Sequence, residues 1–174
     1  MNKLKLATVW LDGCSGCHMS LLDLDEELLA VAARADLVYG PLVDAPEFPD
    51  GVDITLVEGA VSSQDDLKKL RQIRSRSRML VALGDCAVTG NVAAMRNGMP
   101  PAKMLAGIYI QNVDTAPQAP SAEVPVLLSQ ARPVHDFVPV DFHLPGCPPS
   151  APAILAVLTD LLEGRKPKPA VKFG

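Results

Sequence analysis

Four cysteines are the residues in this chain best suited to chemistry, and each stands where an apolar run stops. Cys14 and Cys17 belong to Trp10-Leu11-Asp12-Gly13-Cys14-Ser15-Gly16-Cys17, which closes the run Leu4, Leu6, Ala7, Val9, Leu11. Cys86 sits in Gly84-Asp85-Cys86, after Met79 to Leu83, and Cys147 in Pro145-Gly146-Cys147-Pro148-Pro149, after Phe137 to Phe142. The C-x-x-C spacing lets two thiolates of one turn reach one metal centre. Alone it is shared by zinc knuckles and redox dithiols. Structural zinc usually takes its ligands as two paired knuckles, and a redox dithiol leaves Cys86 and Cys147 without a role. A [4Fe–4S] cube has four irons, each needing a thiolate from its own direction, and loops giving two, one and one ligands suit it. Each loop leads into a helix N-terminus whose free N–H groups can stabilise an anionic cluster. Gly13, Gly16, Gly84 and Gly146 let backbone N–H groups approach the sulfides, while Pro148 and Pro149 stiffen the last loop. Zinc and unrelated buried thiols are the alternatives.

These turns need a scaffold, and the composition supplies one. The chain has 174 residues, 48% of them hydrophobic, which supports one domain with a real core. Aromatics are only 4%, so the core is expected to be Leu, Val, Ala and Ile. A net charge of −4 argues against a nucleic-acid partner. No apolar run reaches the ~18 residues of a membrane span. The start, Met1-Asn2-Lys3, leads into a strand pattern with no secretory or twin-arginine leader. The expected location is therefore cytoplasmic, where clustered cysteines read as metal ligands rather than disulfides.

Strands are expected over 3–11, 36–39, 53–61, 79–83 and 137–142. Helices are expected over 18–35, with Leu21, Leu24, Leu28 and Val31 on one face, and after a Ser62 or Ser63 cap. Two more are expected over 87–97 and from Ser150 to a stop at Gly164, the last burying Ile154, Leu155, Leu158, Leu161 and Leu162. Asp23, Asp25, Glu26 and Glu27 read as a solvated face favoured by the helix dipole. The basic run Lys68, Lys69, Arg71, Arg74, Arg76, Arg78 reads as cations at a helix C-terminus, with an acidic partner surface as the sharper alternative. The segment 98–133 is rich in proline and poor in pattern. Connections beyond about 15 residues are usually functional or disordered, so a surface cover or partner contact is expected there.

Strands alternating with helices imply a parallel sheet with right-handed crossovers. The expected fold is α/β: a flavodoxin-like, doubly wound, five-stranded parallel sheet with helices on both faces, over residues 1–164. Residues 165–174 form an extended tail. In such sheets ligands bind beyond the carboxyl ends of the strands, and all four cysteines fall at that edge. The chain has no Ser-His-Asp order, no phosphate loop and no Gly-x-Gly-x-x-Gly. A single cluster without a catalytic dyad is a relay.

Asp12-Gly13-Cys14-Ser15-Gly16-Cys17, Val57-Glu58-Gly59, Gly84-Asp85-Cys86 and Pro145-Gly146-Cys147-Pro148-Pro149 together resemble the small subunit of [NiFe] hydrogenases, in its proximal-cluster domain. The resemblance runs from Lys3 to about Gly164. The homologous complex I subunit shares the last motif but has adjacent cysteines in the first, so Cys-x-x-Cys favours hydrogenase. Membrane-bound and periplasmic small subunits carry an export leader and a cysteine-bearing C-terminal domain, and neither is expected here. The chain looks like the short small subunit of cytoplasmic, NAD-reducing bidirectional enzymes. That resemblance implies one proximal [4Fe–4S] cluster on Cys14, Cys17, Cys86 and Cys147, and a large subunit holding the Ni–Fe site. It also implies a diaphorase with further Fe–S clusters and flavin that passes electrons to NAD. A complex I-type Fe–S subunit is one alternative. An FMN-binding module is another, disfavoured because cysteines occupy the turn where flavodoxins carry their phosphate loop.

By the same resemblance Ser15 and Glu58 are proton-path or interface candidates. Ser15 could also bond a sulfide or cap a helix, and Glu58 could simply cap a turn. His18 is expected as a polar first-turn residue, with a hydrogen bond to a cluster sulfur or partner as the alternative. His143 is not expected to be a ligand, His135 reads as loop, and Asp85 is expected to bond local backbone.

Overall fold

The apolar, β-branched runs build the sheet. The computed structural model describes residues 3–168. Its strands are β1 (Leu4–Trp10), β2 (Ala35–Tyr39), β3 (Val52–Glu58), β4 (Val61–Ser63), β5 (Ser77–Leu83), β6 (Leu127–Arg132) and β7 (Phe142–Leu144). Five of them pair in parallel in the order β2-β1-β3-β5-β7. Counting those five alone, the order is the 2-1-3-4-5 of the flavodoxin-like fold, as expected. β4 and β6 form a separate antiparallel pair.

Both faces of the parallel sheet are covered, which is why its strands read as continuous apolar runs. Leu6, Ile54, Leu56, Val81, Leu83 and Leu144 pack beneath α1 (Gly16–Leu22), α2 (Glu27–Arg34) and α7 (Ala151–Leu162). On the other face Ala7, Val9, Val57, Leu80 and Ala82 meet Leu70 and Ile73 of α3 (Gln64–Arg76) and Ala87 of α4 (Asp85–Thr89). Ser63 and Asp66 form a reciprocal capping box that starts α3. Past α7, Gly164 takes φ 70°, and the Arg165 N–H closes back on the Asp160 carbonyl at 2.8 Å.

Several expected elements are differently cut. The helix over 18–35 is two, α1 and α2, because Asp25 adopts φ 47° while Leu24 stays buried. Asp23, Asp25 and Glu26 are solvated as expected, but in the turn between the helices rather than on a helical face. The helix over 87–97 breaks at Gly90 (φ 86°) into α4, α5 (Asn91–Ala94) and a 3-10 turn, Met95–Gly98. The strand over 53–61 stops at Glu58, and Val61–Ser63 joins β6 instead. The stretch 98–133 is not without structure: it holds α6 (Pro101–Ala106), a π-turn (Gly107–Gln111) and β6. The last strand is not 137–142 but Phe142–Leu144. Pro139 has no N–H to give a ladder, and pairing resumes at Asp141, whose N–H donates to the Leu80 carbonyl at 2.9 Å. On α7 the deeply buried residues include Val157, whereas Leu155 and Leu162 are only half-buried. Two of the basic residues are tied internally. Arg74 bonds Asp141 at 2.6 Å, and Arg76 bonds Asp50 at 2.8 Å. The expected tail lies outside the described residues from position 169 onward.

Candidate metal centre

The carboxyl ends of β1, β3, β5 and β7 share one edge. There Cys14, Cys17, Cys86, Cys147 and Glu58 line a single cavity of about 90 Å³. Each arrives by its own local geometry. After β1 the chain is held by reciprocal Asp12–Ala60 backbone bonds of 3.0 and 2.8 Å, and by the Trp10 Nε1–H donating to the Gly13 carbonyl at 2.9 Å. Ser15, the N-cap of α1, then takes φ 60°, so that Cys14 before the turn and Cys17 in the first turn of α1 both line the cavity. After β5, Gly84 takes φ 82°, and a Cβ there would lie 2.2 Å from the Cys17 sulfur. Only glycine fits that approach. The loops after β5 and β7 are tied together: the Asp85 N–H donates to the Gly146 carbonyl, and the Gly146 N–H to the Asp85 carboxylate, at 2.8 and 2.7 Å. The Asp85 carboxylate therefore bonds backbone, but that of the loop after β7, 61 residues away, rather than the local backbone expected from the sequence. Ser20 of α1 donates to the Pro149 carbonyl, joining the first loop to the last.

Cys17 is buried, Cys86 half-buried, and Cys14 and Cys147 are exposed, so the cavity opens on the Cys14 and Cys147 side. Burial pushes the Cys17 thiol up to about 12, and the Glu58 carboxylate and the other three cysteines push it the same way. Burial also raises Cys86, opposed by hydrogen bonds from the Val92 N–H and the Asn91 side chain. Several anions cannot share so small an apolar space without a positive centre between them. The donor set thus fits a thiolate-ligated cationic group. Among the described residues no three His, Cys, Asp or Glu side chains close on a point as one metal ion requires. Four thiols arrayed round a cavity suit a group with several metal atoms, each bound by one cysteine.

Glu58 is 1% exposed and accepts from the His18 backbone N–H at 2.9 Å. Its same oxygen lies 2.5 Å from His18 Nδ1. It therefore caps α1 from the neighbouring strand while facing the cysteines. This pairing was not legible in sequence, because the two residues lie 40 positions apart; the only signal was a charged residue following the apolar pair Leu56-Val57 at a strand end. The structure places no sulfur against His18, whose Nε2 is buried without a partner among the described residues. Ser15 makes no side-chain cap, although its carbonyl accepts from Met19 at 3.0 Å. His143 stacks edge-on to His135 at 5.4 Å, away from the cavity, and both burial and that neighbour lower its pKa.

With this fold and this ring of thiols in place, the chain belongs to the family described as NADH ubiquinone oxidoreductase, 20 Kd subunit, which it matches over residues 14–161. Within that family it is similar to subunits of several hydrogenases. It is 38% identical over 169 residues to the NAD-reducing hydrogenase HoxS subunit delta of Cupriavidus necator, covering 94% of this chain and 81% of that one. It is 39% identical, with a TM-score of 0.93, to a chain in the crystal structure of an NAD+-reducing [NiFe]-hydrogenase in the H2-reduced state, covering 99% and 100% of the two. It is also 36% identical, over 98% of its own length, to a subunit of the F420-non-reducing hydrogenase vhu of Methanocaldococcus jannaschii, and spans 60% of that longer chain. Among the described residues no helix is long and apolar enough to cross a membrane.

Proposed function

We propose that this chain is the electron-transfer small subunit of an NAD-reducing [NiFe] hydrogenase, holding one [4Fe–4S] cluster on Cys14, Cys17, Cys86 and Cys147. The observation that carries this reading is the convergence of four thiols from three loops on one cavity at the carboxyl edge of the sheet. When bound, such a cluster supplies one-electron transfer. The chain's own residues do the rest. Gly84 lets the backbone close on Cys17, the Asp85–Gly146 pair fixes two loops together, and Pro148 walls one side of the cavity.

The electron donor in this reading is a large subunit with the Ni–Fe site, and the acceptor a diaphorase with Fe–S clusters and flavin that reduces NAD. Trp10, Met19 and Val92 are exposed apolar residues close in sequence to the cysteines, as a face covered by partner subunits would present. Ser15 and Glu58 lie on that edge, and we assign them to the large-subunit interface and its proton route. A cytoplasmic location accords with free thiols at the site. A complex I-type subunit is the second reading, favoured only by the family description.

The test is iron and sulfide analysis of the anaerobically purified complex, with about four irons expected for this chain's cluster. Stoichiometric zinc without iron would overturn the reading. Replacing Cys17 by Ala should abolish hydrogen-driven NAD reduction but leave NADH oxidation by an artificial acceptor, which belongs to the diaphorase. An assembled Cys17→Ala complex with the normal hydrogen-driven rate would refute the relay.

A further inference from the structure

The break at Gly90 does more than end α4. Gly90 (φ 86°) and Asn91 (φ 35°) are consecutive residues in left-handed backbone conformations. The Gly90 N–H remains bonded to the Cys86 carbonyl at 3.0 Å, so the turn is folded back beside that cysteine. Asn91 Nδ2 then donates to the Cys147 sulfur at 3.4 Å. The same side chain and the Val92 N–H also oppose the rise that burial imposes on the Cys86 thiol. One turn thus serves the two cysteines that come singly from β5 and β7.

The turn is held from behind. Asn97 bonds Ala131 of β6 in both directions, donating at 2.7 Å and accepting at 2.8 Å. Arg96 donates to the carbonyls of Ser62 and Leu128 at 3.0 and 3.1 Å. The β4–β6 pair, which takes no part in the main sheet, therefore buttresses α5 against the cysteine loops. A Cβ at Gly90 would lie 3.0 Å from the Ala94 Cβ in a backbone of φ 86°, so a larger residue there would be strained.

We infer that Asn91 is a positioning residue that sets the reduction potential of the group held by Cys86 and Cys147, through its amide N–H···S hydrogen bond to Cys147. The inference rests on the [4Fe–4S] reading above. Taking up one electron adds one negative charge to the four-thiolate site, and hydrogen bonds to the sulfurs stabilise the more negative state and raise the potential. A thiolate only accepts, so the amide must present its NH2 group to it. Leucine at position 91 keeps the side-chain volume and removes the donor. A carboxylate there keeps the shape and reverses the interaction.

The experiment is an EPR-monitored redox titration of the assembled complex, wild type against Asn91→Leu and Asn91→Asp, with iron content measured alongside. At a fixed applied potential near the wild-type midpoint, the reduced-to-oxidised ratio should fall several-fold in Asn91→Leu and further in Asn91→Asp. Both variants should keep the wild-type iron content. A cluster-loaded Asn91→Leu complex with an unchanged midpoint would overturn the inference. A second measurement needs no substitution. Wild-type complex carrying side-chain 15N-asparagine should show a 15N hyperfine coupling to the reduced centre, and its absence would equally overturn the assignment. If the wild-type complex held zinc and no iron, the [4Fe–4S] reading itself would fall, an outcome separate from either of these.

Discussion

The two ends of the parallel sheet are built in opposite ways. At the amino ends, Leu4, Asp53, Arg78, Asp141 and the residues after α7 surround a cavity of about 590 Å³, several times the roughly 90 Å³ between the cysteines. Its charged residues pair at the surface: Arg78 stands 3.8 Å from Asp53 with its side chain 80% exposed. At the carboxyl ends the space is small, the loops are bonded to one another, and a buried carboxylate faces four thiols. Size alone would choose the wrong end. What marks the carboxyl end as the proposed site is cost: left-handed backbone, a glycine pressed against a sulfur, and anions gathered in apolar surroundings, none of which stabilises the fold by itself.

That contrast can be broken experimentally. The largest effect is expected from Gly84→Ala. The new Cβ would meet the Cys17 sulfur at 2.2 Å in a backbone of φ 82°. Strain of about 1–3 kcal/mol should accompany loss of the bound iron. Full iron content in that variant would show that the close approach is not needed. Next is Glu58→Gln, which keeps the shape but removes a buried charge that raises the Cys17 thiol. Weakening the bonds to His18 should cost ~1–3 kcal/mol. In iron-free protein the pH at which Cys17 becomes alkylated should fall below about 12, read by mass-resolved labelling; no change would remove Glu58 from the electrostatics of the site.

A third prediction concerns pH. Below pH 9.0 the Cys17 thiol is protonated whether the chain is folded or not, whereas between 9.0 and about 12 only the unfolded chain releases that proton. Stability of the iron-free protein should therefore decline as pH rises through that window. In Cys17→Ser the decline should shrink, as followed by urea unfolding at several pH values. The smallest effect belongs to the other end: Arg78→Ala should change stability by no more than ~0.5 kcal/mol and leave iron content untouched. A large loss there would mean that the wide cavity also has a structural or binding role.

The sheet and the cysteine edge were legible because both rest on local pattern. The central parallel strands, buried on two faces, read as mostly apolar runs, and cysteines just past the ends of such runs need no long-range knowledge. Helix boundaries were less so. Nothing in the composition of 18–35 shows that Asp25 will turn the chain, and β6, with only Ala131 fully buried, carries little strand signal. The Glu58–His18 pair and the Asn91 turn escaped for a different reason. Each joins residues far apart in sequence, 40 positions for Glu58 and His18 and 56 for Asn91 and Cys147, so only the fold reveals that they face one another.

The paired bonds between Asp85 and Gly146 have a consequence for how a cluster is assembled. Cys86 and Cys147 lie 61 residues apart in sequence, as do Asp85 and Gly146, and bringing such distant ligands together from a free chain carries a loop-closure entropy that grows with the logarithm of the separation. Once β5 and β7 are side by side and those two bonds have formed, that entropy has already been lost to folding. The incoming group then meets two bidentate arms, Cys14 with Cys17 and Cys86 with Cys147, rather than four independent thiols. For the proposed cluster this is a chelate effect supplied by the backbone, and its insertion is expected to follow closure of the sheet.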